Sequence, residues 1–191
     1  MKYIKRLIVA IVAIALVFAA LNWPYFKVQI DHYLYPPQIP EIKENQKTAE
    51  SDKIWIRTLG IEAPLVYIEE DSEEAFQLAL QKGVVHFTGT AKIGESGNAY
   101  YFGHSSDYLT SEGDYKNVFA LLPKIRPGDT IQATNTSGKV FEYEVEKTMI
   151  VEPDDLSVLE QDHSKKQLTL QTSYPLGTAL RRFIVVSKLI E

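Results

Sequence analysis

The sequence predicts an all-β fold, a barrel or a sandwich with one or two short helices, behind an N-terminal membrane segment. About eight short stretches are rich in β-branched and aromatic residues and are separated by turn-forming residues. Only one stretch after residue 52 has a clear helical periodicity, and there is no repeat of alternating strands and helices. With 191 residues, the chain can form one domain with a substantial core and an appendage.

The composition excludes several classes of function. The net charge is −5 at pH 7 and no long basic stretch is present, which argues against nucleic acid as a partner. The chain contains no cysteine, so disulfides, thiolate metal sites and a cysteine nucleophile are excluded. A chain without cysteine is also compatible with a location outside the cytoplasm.

The N-terminus has the pattern of a membrane anchor. An apolar run over residues 7–21 is preceded by basic residues and followed by aromatic ones, which are Lys2, Lys5 and Arg6, then Trp23, Tyr25 and Phe26. Basic residues stay on the cytoplasmic side and aromatic residues favour the membrane interface. We therefore expect residues 1–26 to form a single-pass anchor in the cell membrane, with a cytoplasmic N-terminus and an extracytoplasmic domain. The alternative is a cleaved signal peptide, with Val17 and Ala19 at the cleavage positions.

A polar spacer is predicted between the anchor and the folded domain. Residues 27–52 contain three prolines among polar and charged residues. The pattern of residues 27–34 is compatible with a short helix before the prolines. The folded domain is accordingly expected to span residues 53–191.

Hydrophobic patterns and turn residues predict the elements of this domain. An apolar stripe over residues 75–80 predicts one helix that ends before Gly83. Residues 167–190 predict a terminal hairpin, because alternating residues precede a Pro/Gly loop and a β-branched run follows it. The other strands are predicted at residues 54–61, 65–68, 84–88, 98–103, 130–133 and 139–149.

Polar residues stand where three predicted strands begin or end. His104 ends one strand, Ser173 ends the first strand of the terminal hairpin, and Arg181 and Arg182 open the second. Side chains at strand ends can converge at one rim of a barrel, so these residues form the candidate site. The remaining histidines, His32, His86 and His163, are expected to be structural. His86 is expected to be a hydrogen-bonded core residue.

Short motifs follow one another in a specific order between residues 102 and 186. Phe-Gly-His-Ser occupies residues 102–105, and Phe-Ala-Leu-Leu at 119–122 precedes Arg-Pro-Gly-Asp-Thr at 126–130. Thr-Leu-Gln-Thr-Ser occupies residues 169–173, and Arg-Phe-Ile-Val-Val occupies 182–186. In these motifs, in their spacing and in its N-terminal anchor, the chain resembles the sortases, the membrane-anchored cysteine transpeptidases of bacterial surfaces. The resemblance covers residues 53–191.

The resemblance implies a sortase-like eight-stranded β-barrel and a transpeptidation reaction. In the family, a cysteine attacks the Thr–Gly carbonyl of an LPXTG-like sorting signal. An amine from a cell-wall precursor or a pilin lysine then resolves the acyl-enzyme. Carried over to this chain, His104 is the acid/base, Ser173 occupies the nucleophile position and Arg182 supplies the guanidinium.

Arg181 is the fallback for Arg182, because a register slip of one residue exchanges the two faces of a strand. The resemblance implies no cofactor, and calcium bound between acidic loops is the weaker alternative to a solvated acidic surface. The residues expected to contact substrate are Arg181, Thr172 and Leu170.

The acidic residues that would bind calcium in the weaker alternative are Glu112, Asp114, Glu152, Asp154 and Asp155.

The chain departs from the family at the nucleophile, where the motif has cysteine and this sequence has Ser173. A thiol with an ordinary pKa near 8.5 can ionise beside an imidazolium, whereas a serine hydroxyl must lose its proton to a base during attack. That base would be a neutral His104 held by a carboxylate, for which Asp107 is the only nearby candidate. Ser173 is interpreted as a natural residue, with an introduced cysteine-to-serine change as the alternative.

Three hypotheses about function follow. The first is a sortase-type transpeptidase with impaired activity at Ser173. The second is a catalytically inactive sortase-fold module that binds a peptide at the extracytoplasmic membrane face. The third is a membrane-tethered structural barrel, which predicts that His104, Ser173 and Arg182 lie far apart.

Overall fold

The computed structural model describes residues 2–37, 50–70, 72–106, 113–175 and 177–190, and in it eight strands close into a barrel. The strands are β1 Lys53–Ile56, β2 Ile61–Val66, β3 Val84–His86, β4 Gly97–Phe102, β5 Thr130–Thr134, β6 Val140–Val151, β7 Lys166–Tyr174 and β8 Arg181–Leu189. Around the barrel they follow the order β1-β2-β3-β4-β7-β8-β6-β5. The closed sheet confirms the predicted barrel and excludes the sandwich.

The helices of the described residues comprise three α-helices and three short 3₁₀ turns. They are α1 Lys2–Leu21, α2 Trp23–Leu34, α3 Glu73–Leu80, and the turns Arg57–Leu59, Leu122–Lys124 and Leu156–Leu159. Helix α1 has 20 residues, none of them buried, and is long and apolar enough to cross a membrane. At 1.5 Å per residue, its length of about 30 Å matches the hydrocarbon core of a bilayer. An anchor of this kind is consistent with the predicted membrane segment.

Helix α2 begins after Asn22 and packs on the barrel instead of continuing into solvent. Val28 packs against the barrel core, and Gln29 donates a hydrogen bond from Nε2 to the carbonyl oxygen of Ala120 at 3.0 Å. Residues 27–34, predicted as spacer with a short helix, therefore belong to a helix that crosses the predicted boundary after residue 26. Residues 38–49 of the predicted spacer lie outside the described residues, so the domain boundaries stay a prediction.

Two of the eight strand pairings are parallel, and they set the topology. Strands β2 and β3 pair in parallel and are connected by α3, which forms a single strand–helix–strand unit. Ser72 caps this helix, because its Oγ accepts a hydrogen bond from the N–H of Ala75 at 3.3 Å. Strands β4 and β7 also pair in parallel, although most of the second half of the chain separates them. The other pairings are antiparallel and include the predicted terminal hairpin of β7 and β8.

The core fills the barrel, because alternate residues of each strand point inward. On β7, Leu168 and Leu170 are fully buried in the core cluster, and on β8 Phe183 and Val185 join the same cluster. The alternate residues of these two strands consequently lie on the outer face. Ser173 is one of them.

A glutamine side chain fixes the connection between β6 and β7 to the barrel. Gln161 Oε1 accepts hydrogen bonds from the N–H groups of Asn98 at 3.0 Å and Ala91 at 3.3 Å. Its Nε2 donates to the carbonyl oxygens of Asn98 at 3.1 Å and Leu159 at 2.9 Å. One amide thus joins the connection to the start of β4 and to the loop before it.

Replacing Gln161 with leucine should lower the free energy of unfolding by about 1–3 kcal/mol, since the peptide groups of Asn98 lose their partner. Denaturant unfolding of the chain in detergent measures this change. The matched control is Gln77→Leu, because Gln77 is exposed and forms a hydrogen bond with Glu73 on the surface of α3. Equal destabilisation by the two substitutions would show that the hydrogen bonds of Gln161 do not fix the connection to the barrel.

Candidate active site

The terminal hairpin pairs the predicted nucleophile position with the predicted arginine. In the antiparallel register of β7 and β8, Ser173 lies directly opposite Arg182, and Tyr174 lies opposite Arg181. Directly opposed residues point to the same face, with Cβ atoms about 4.5–5.5 Å apart. The side chains of Ser173 and Arg182 therefore share the outer face at one end of the hairpin. This register disagrees with the third hypothesis, which separates these two residues.

The parallel ladder between β4 and β7 brings the backbone of His104 to the same end. Phe102 pairs with Gln171, and the ladder continues with a hydrogen bond from the N–H of Gly103 to the carbonyl oxygen of Gln171 at 3.1 Å. His104 follows Gly103 as Ser173 follows Thr172, so the two residues are neighbours across the end of the ladder. The imidazole is partly exposed.

A turn behind the ladder holds His104 from the other side. The N–H of Phe119 donates a hydrogen bond to the carbonyl oxygen of His104 at 2.9 Å. Gly103 lies so close to this turn that a Cβ would come within 2.9 Å of Phe119 Cδ2 and of Val118 Cγ1. A glycine is therefore required before His104. The contact between these two motifs is not evident from the sequence.

The two neighbouring arginines have different surroundings. Arg181 is exposed and forms an ion pair with Glu152, with Nη2 and Oε1 3.3 Å apart. Arg182 Nη1 instead donates hydrogen bonds to the carbonyl oxygens of Ala179 at 2.9 Å and Arg181 at 3.2 Å. These carbonyl groups orient the guanidinium without neutralising its charge. Arg182 is therefore the better candidate for stabilising negative charge beside Ser173.

Comparison with known proteins decides the family. A family model described as Sortase domain matches residues 54–190. The chain belongs to the sortase family.

Individual relatives agree with this assignment. Sortase D of Bacillus subtilis (strain 168) is 32% identical over 112 residues, which cover 57% of this chain and 51% of that protein, about half of its length. The solved structure of a Clostridium perfringens Sortase D5 transpeptidase is 29% identical with a TM-score of 0.60, over 73% of this chain and 78% of that chain. Sortase C1 from Streptococcus agalactiae is 25% identical with a TM-score of 0.61, over 78% of this chain and 70% of that chain. These neighbours confirm the predicted sortase-like barrel.

Leu170 and Thr172, predicted at the substrate, point into the sortase barrel. Leu170 is fully buried in the core, and Thr172 is buried with its Oγ1 donating to the carbonyl oxygen of Gly103 at 2.8 Å. Both lie on the face opposite to Ser173, because side chains alternate along a strand. Their contact with substrate stays a prediction, and in this structure Thr172 links β7 to the residue before His104.

On the outer face of this sortase, Gln171 and Tyr100 form a hydrogen bond that sequence reasoning missed. The hydroxyl of Tyr100 donates to Gln171 Oε1 at 2.6 Å. Burial raises the pKa of the Tyr100 phenol, and the positive charge of Arg182 opposes this shift. Tyr100 is therefore a neutral donor, and it orients the amide two residues before Ser173.

Two of the other predicted residues, Asp107 and Glu112, lie outside the part of the chain that the structure describes. His86 is a hydrogen-bonded core residue, as predicted, with Nε2 3.0 Å from the carbonyl oxygen of Ala91. Where side chains are described, no group of three or more His, Asp or Glu residues is arranged to hold a metal ion.

A cavity of about 940 Å³ lies at the other end of β7, beside the β6–β7 connection. Its lining includes Asn98, Ser157, Gln167 and Lys188. Gln167 is six positions before Ser173, or about 20 Å along an extended strand. This cavity is therefore separate from the paired Ser173 and Arg182.

The close packing of Gly103 against the turn behind His104 can be tested by substitution. Gly103→Ala should lower the free energy of unfolding by about 1–3 kcal/mol, because the added methyl group overlaps Phe119 and Val118. Val118→Ala removes one of the two overlapping atoms. The double variant should consequently be less destabilised than the sum of the single variants, as measured by denaturant unfolding. Strict additivity would show that the turn does not contact Gly103.

Proposed function

We propose that this chain is a sortase-type transpeptidase that recognises an LPXTG-like sorting signal and transfers its protein to an amine acceptor, with activity impaired by Ser173. The observation that carries the proposal is the strand register. It pairs Ser173 with Arg182 and sets the backbone of His104 beside them. Family membership supports a peptide substrate and an amine acceptor in general. The acceptor proposed is a cell-wall precursor or a pilin lysine.

The three residues supply the groups that acyl transfer requires. Ser173 Oγ attacks the carbonyl carbon of the scissile peptide bond and passes its proton to the neutral imidazole of His104. Arg182 stabilises the negative charge that develops on the carbonyl oxygen. The C–N bond then breaks, His104 returns the proton to the leaving amine, and the acyl group remains on Oγ as an ester. An acceptor amine attacks this ester and restores the hydroxyl.

The serine makes the first step slow. A cysteine at this position would be partly ionised beside His104 and Arg182, whereas the serine hydroxyl stays protonated until attack. The histidine must therefore be neutral to accept the proton and then protonated to release the amine. A carboxylate that holds the histidine in the right tautomer normally assists this sequence.

The second candidate function is a module that binds a sorting peptide without cleaving it. The observation that favours it is the serine itself, since loss of an activated nucleophile typically costs several powers of ten in rate. Both functions use the same outer face, so a measurement of peptide turnover distinguishes the transpeptidase from the binding module.

Ser173→Cys should raise the turnover of an LPXTG peptide by at least about 100-fold, because a thiolate needs no concerted deprotonation. In that background, His104→Ala should abolish the gain. Arg182→Ala should reduce it by about 10²–10³, the usual cost of one oxyanion donor. Peptide cleavage with an added amine, followed by mass spectrometry of the acyl-enzyme, measures each step.

The neighbouring arginine provides the matched control. Arg181→Ala removes a surface ion pair and should leave the turnover of the cysteine variant within about threefold, since exposed pairs contribute little. A larger loss with Arg181→Ala than with Arg182→Ala would reverse their roles. Rapid cleavage by the serine form, unimproved by cysteine, would indicate a serine transpeptidase with a further base. Peptide binding without cleavage by either form would favour the binding module.

We also propose that α1 anchors the chain in the cell membrane with its N-terminus in the cytoplasm. The length and composition of α1 support an anchor, and the basic residues before it favour this orientation. Protease added to intact cells should then degrade the barrel domain while a cytoplasmic marker protein survives. Degradation that requires cell lysis would contradict this topology.

A further inference from the structure

Helix α2, which directly follows the membrane segment, contacts the barrel beside the candidate active site. Its residue Val28 packs against the core, and Gln29 is partly buried with Nε2 3.0 Å from the carbonyl oxygen of Ala120. This hydrogen bond joins residues that are 91 positions apart in the sequence. The contact is therefore a tertiary one and not a consequence of chain connectivity.

The carbonyl group that Gln29 binds belongs to the turn that holds His104. Within this turn, the N–H of Ala120 donates to the carbonyl oxygen of Asn117 at 3.0 Å. The adjacent residue, Phe119, is fully buried and donates its N–H to the carbonyl oxygen of His104 at 2.9 Å. Two hydrogen bonds and the backbone of Phe119 and Ala120 thus connect the side chain of Gln29 to the backbone of His104.

The first turn of α2 reaches the other half of the site. Burial raises the pKa of Tyr25, a side-chain hydrogen bond with Gln29 opposes this shift, and the phenol of Tyr174, the residue after Ser173, adds to it. Asn22, at the junction of α1 and α2, lies against the loop between β7 and β8. A Cβ placed on Gly177 would be 3.5 Å from Asn22 Oδ1. Helix α2 therefore contacts the turn that holds His104, and Asn22 at its N-terminus lies beside the loop that follows β7.

We propose that α2 is a wall of the active site, in which Gln29 is a positioning residue for His104. The proposal rests on the proposed function for its chemistry. In structural terms, the helix that follows the membrane anchor sets the distance between His104 and Ser173. Neither Gln29 nor any other residue of α2 is assigned to substrate contact.

The geometry explains why such a wall matters. His104 lies two residues beyond the last residue of β4, and the turn around Phe119 holds its carbonyl oxygen through a hydrogen bond. Misplacement of a reacting group by about 1 Å can cost about 100-fold in rate. A helix that fixes this turn keeps the imidazole within reach of residue 173.

The test uses the full chain in detergent with Ser173→Cys, which introduces the sole thiol because the sequence contains no cysteine. Gln29→Met keeps an unbranched, uncharged side chain of similar length and removes the N–H donor. Gln29→Lys restores a donor that can reach the carbonyl oxygen of Ala120. Tyr33→Ala is the matched control, because Tyr33 is on the same helix and 83% exposed.

Two readouts separate positioning from stability and from the proposed function. The first is peptide turnover, in which Gln29→Met should lower kcat by about 10-fold and leave KM within about twofold. The second is the pH dependence of alkylation of the introduced thiol by iodoacetamide, which needs no peptide. Loss of a well-placed imidazolium should move the thiol pKa upward by at least about 0.5 toward 8.5. Gln29→Lys should restore most of kcat, and Tyr33→Ala should change neither readout.

Each outcome decides the proposal. If Gln29→Met changes neither kcat nor the alkylation profile, or lowers thermal stability alone, α2 is not part of the site. If Tyr33→Ala acts as strongly as Gln29→Met, the effect belongs to the helix in general and the role of Gln29 is wrong. If no variant cleaves a peptide, the proposed function fails, while a shifted alkylation profile for Gln29→Met still supports positioning by α2.

Discussion

The site depends on the parallel pairing of β4 with β7. This ladder brings together segments that carry the two predicted reacting groups, and the hydrogen bond from Gly103 to Gln171 extends it to the residue before His104. Thr172 adds a side-chain hydrogen bond to the carbonyl oxygen of the same residue, Gly103, so the end of the ladder is held twice. The antiparallel pairing of β7 with β8 then supplies Arg182. Displacement of β7 by one residue would point Ser173 into the core.

Sequence patterns predicted the parts of the fold that arise from local periodicity. The alternation of residues 167–172 and the β-branched run after 183 gave the terminal hairpin, which forms as β7 and β8. The closure of the barrel and its two parallel pairings depend on contacts between distant segments, which hydrophobic patterns do not encode. Positions at the ends of predicted strands grouped His104, Ser173 and the two arginines, and the family resemblance gave His104, Ser173 and Arg182 their individual roles.

The features that sequence reasoning missed are contacts rather than elements. Nothing in the composition of residues 23–34 indicates that Gln29 reaches Ala120, and the need for glycine at 103 becomes evident only beside Phe119. A signal did exist for the inward orientation of Leu170 and Thr172. They alternate with Ser173 in a strand of period two, so the apolar set that includes Leu170 belongs to the core and Ser173 to the opposite face.

The long separation between β4 and β7 has a consequence for how the chain folds. Gly103 and Thr172, which lie on the two sides of this ladder, are 69 positions apart, and closing so large a loop is slow compared with forming a hairpin. During synthesis, which begins at the N-terminus, one edge of β4 stays unpaired until β7, in the last quarter of the chain, is made. An exposed strand edge is a template for aggregation, so this interval is when the molecule is most vulnerable. The same order of events means that a chain cut short before β7 would carry His104 but lack both Ser173 and Arg182, so the candidate site is assembled only when the fold is complete.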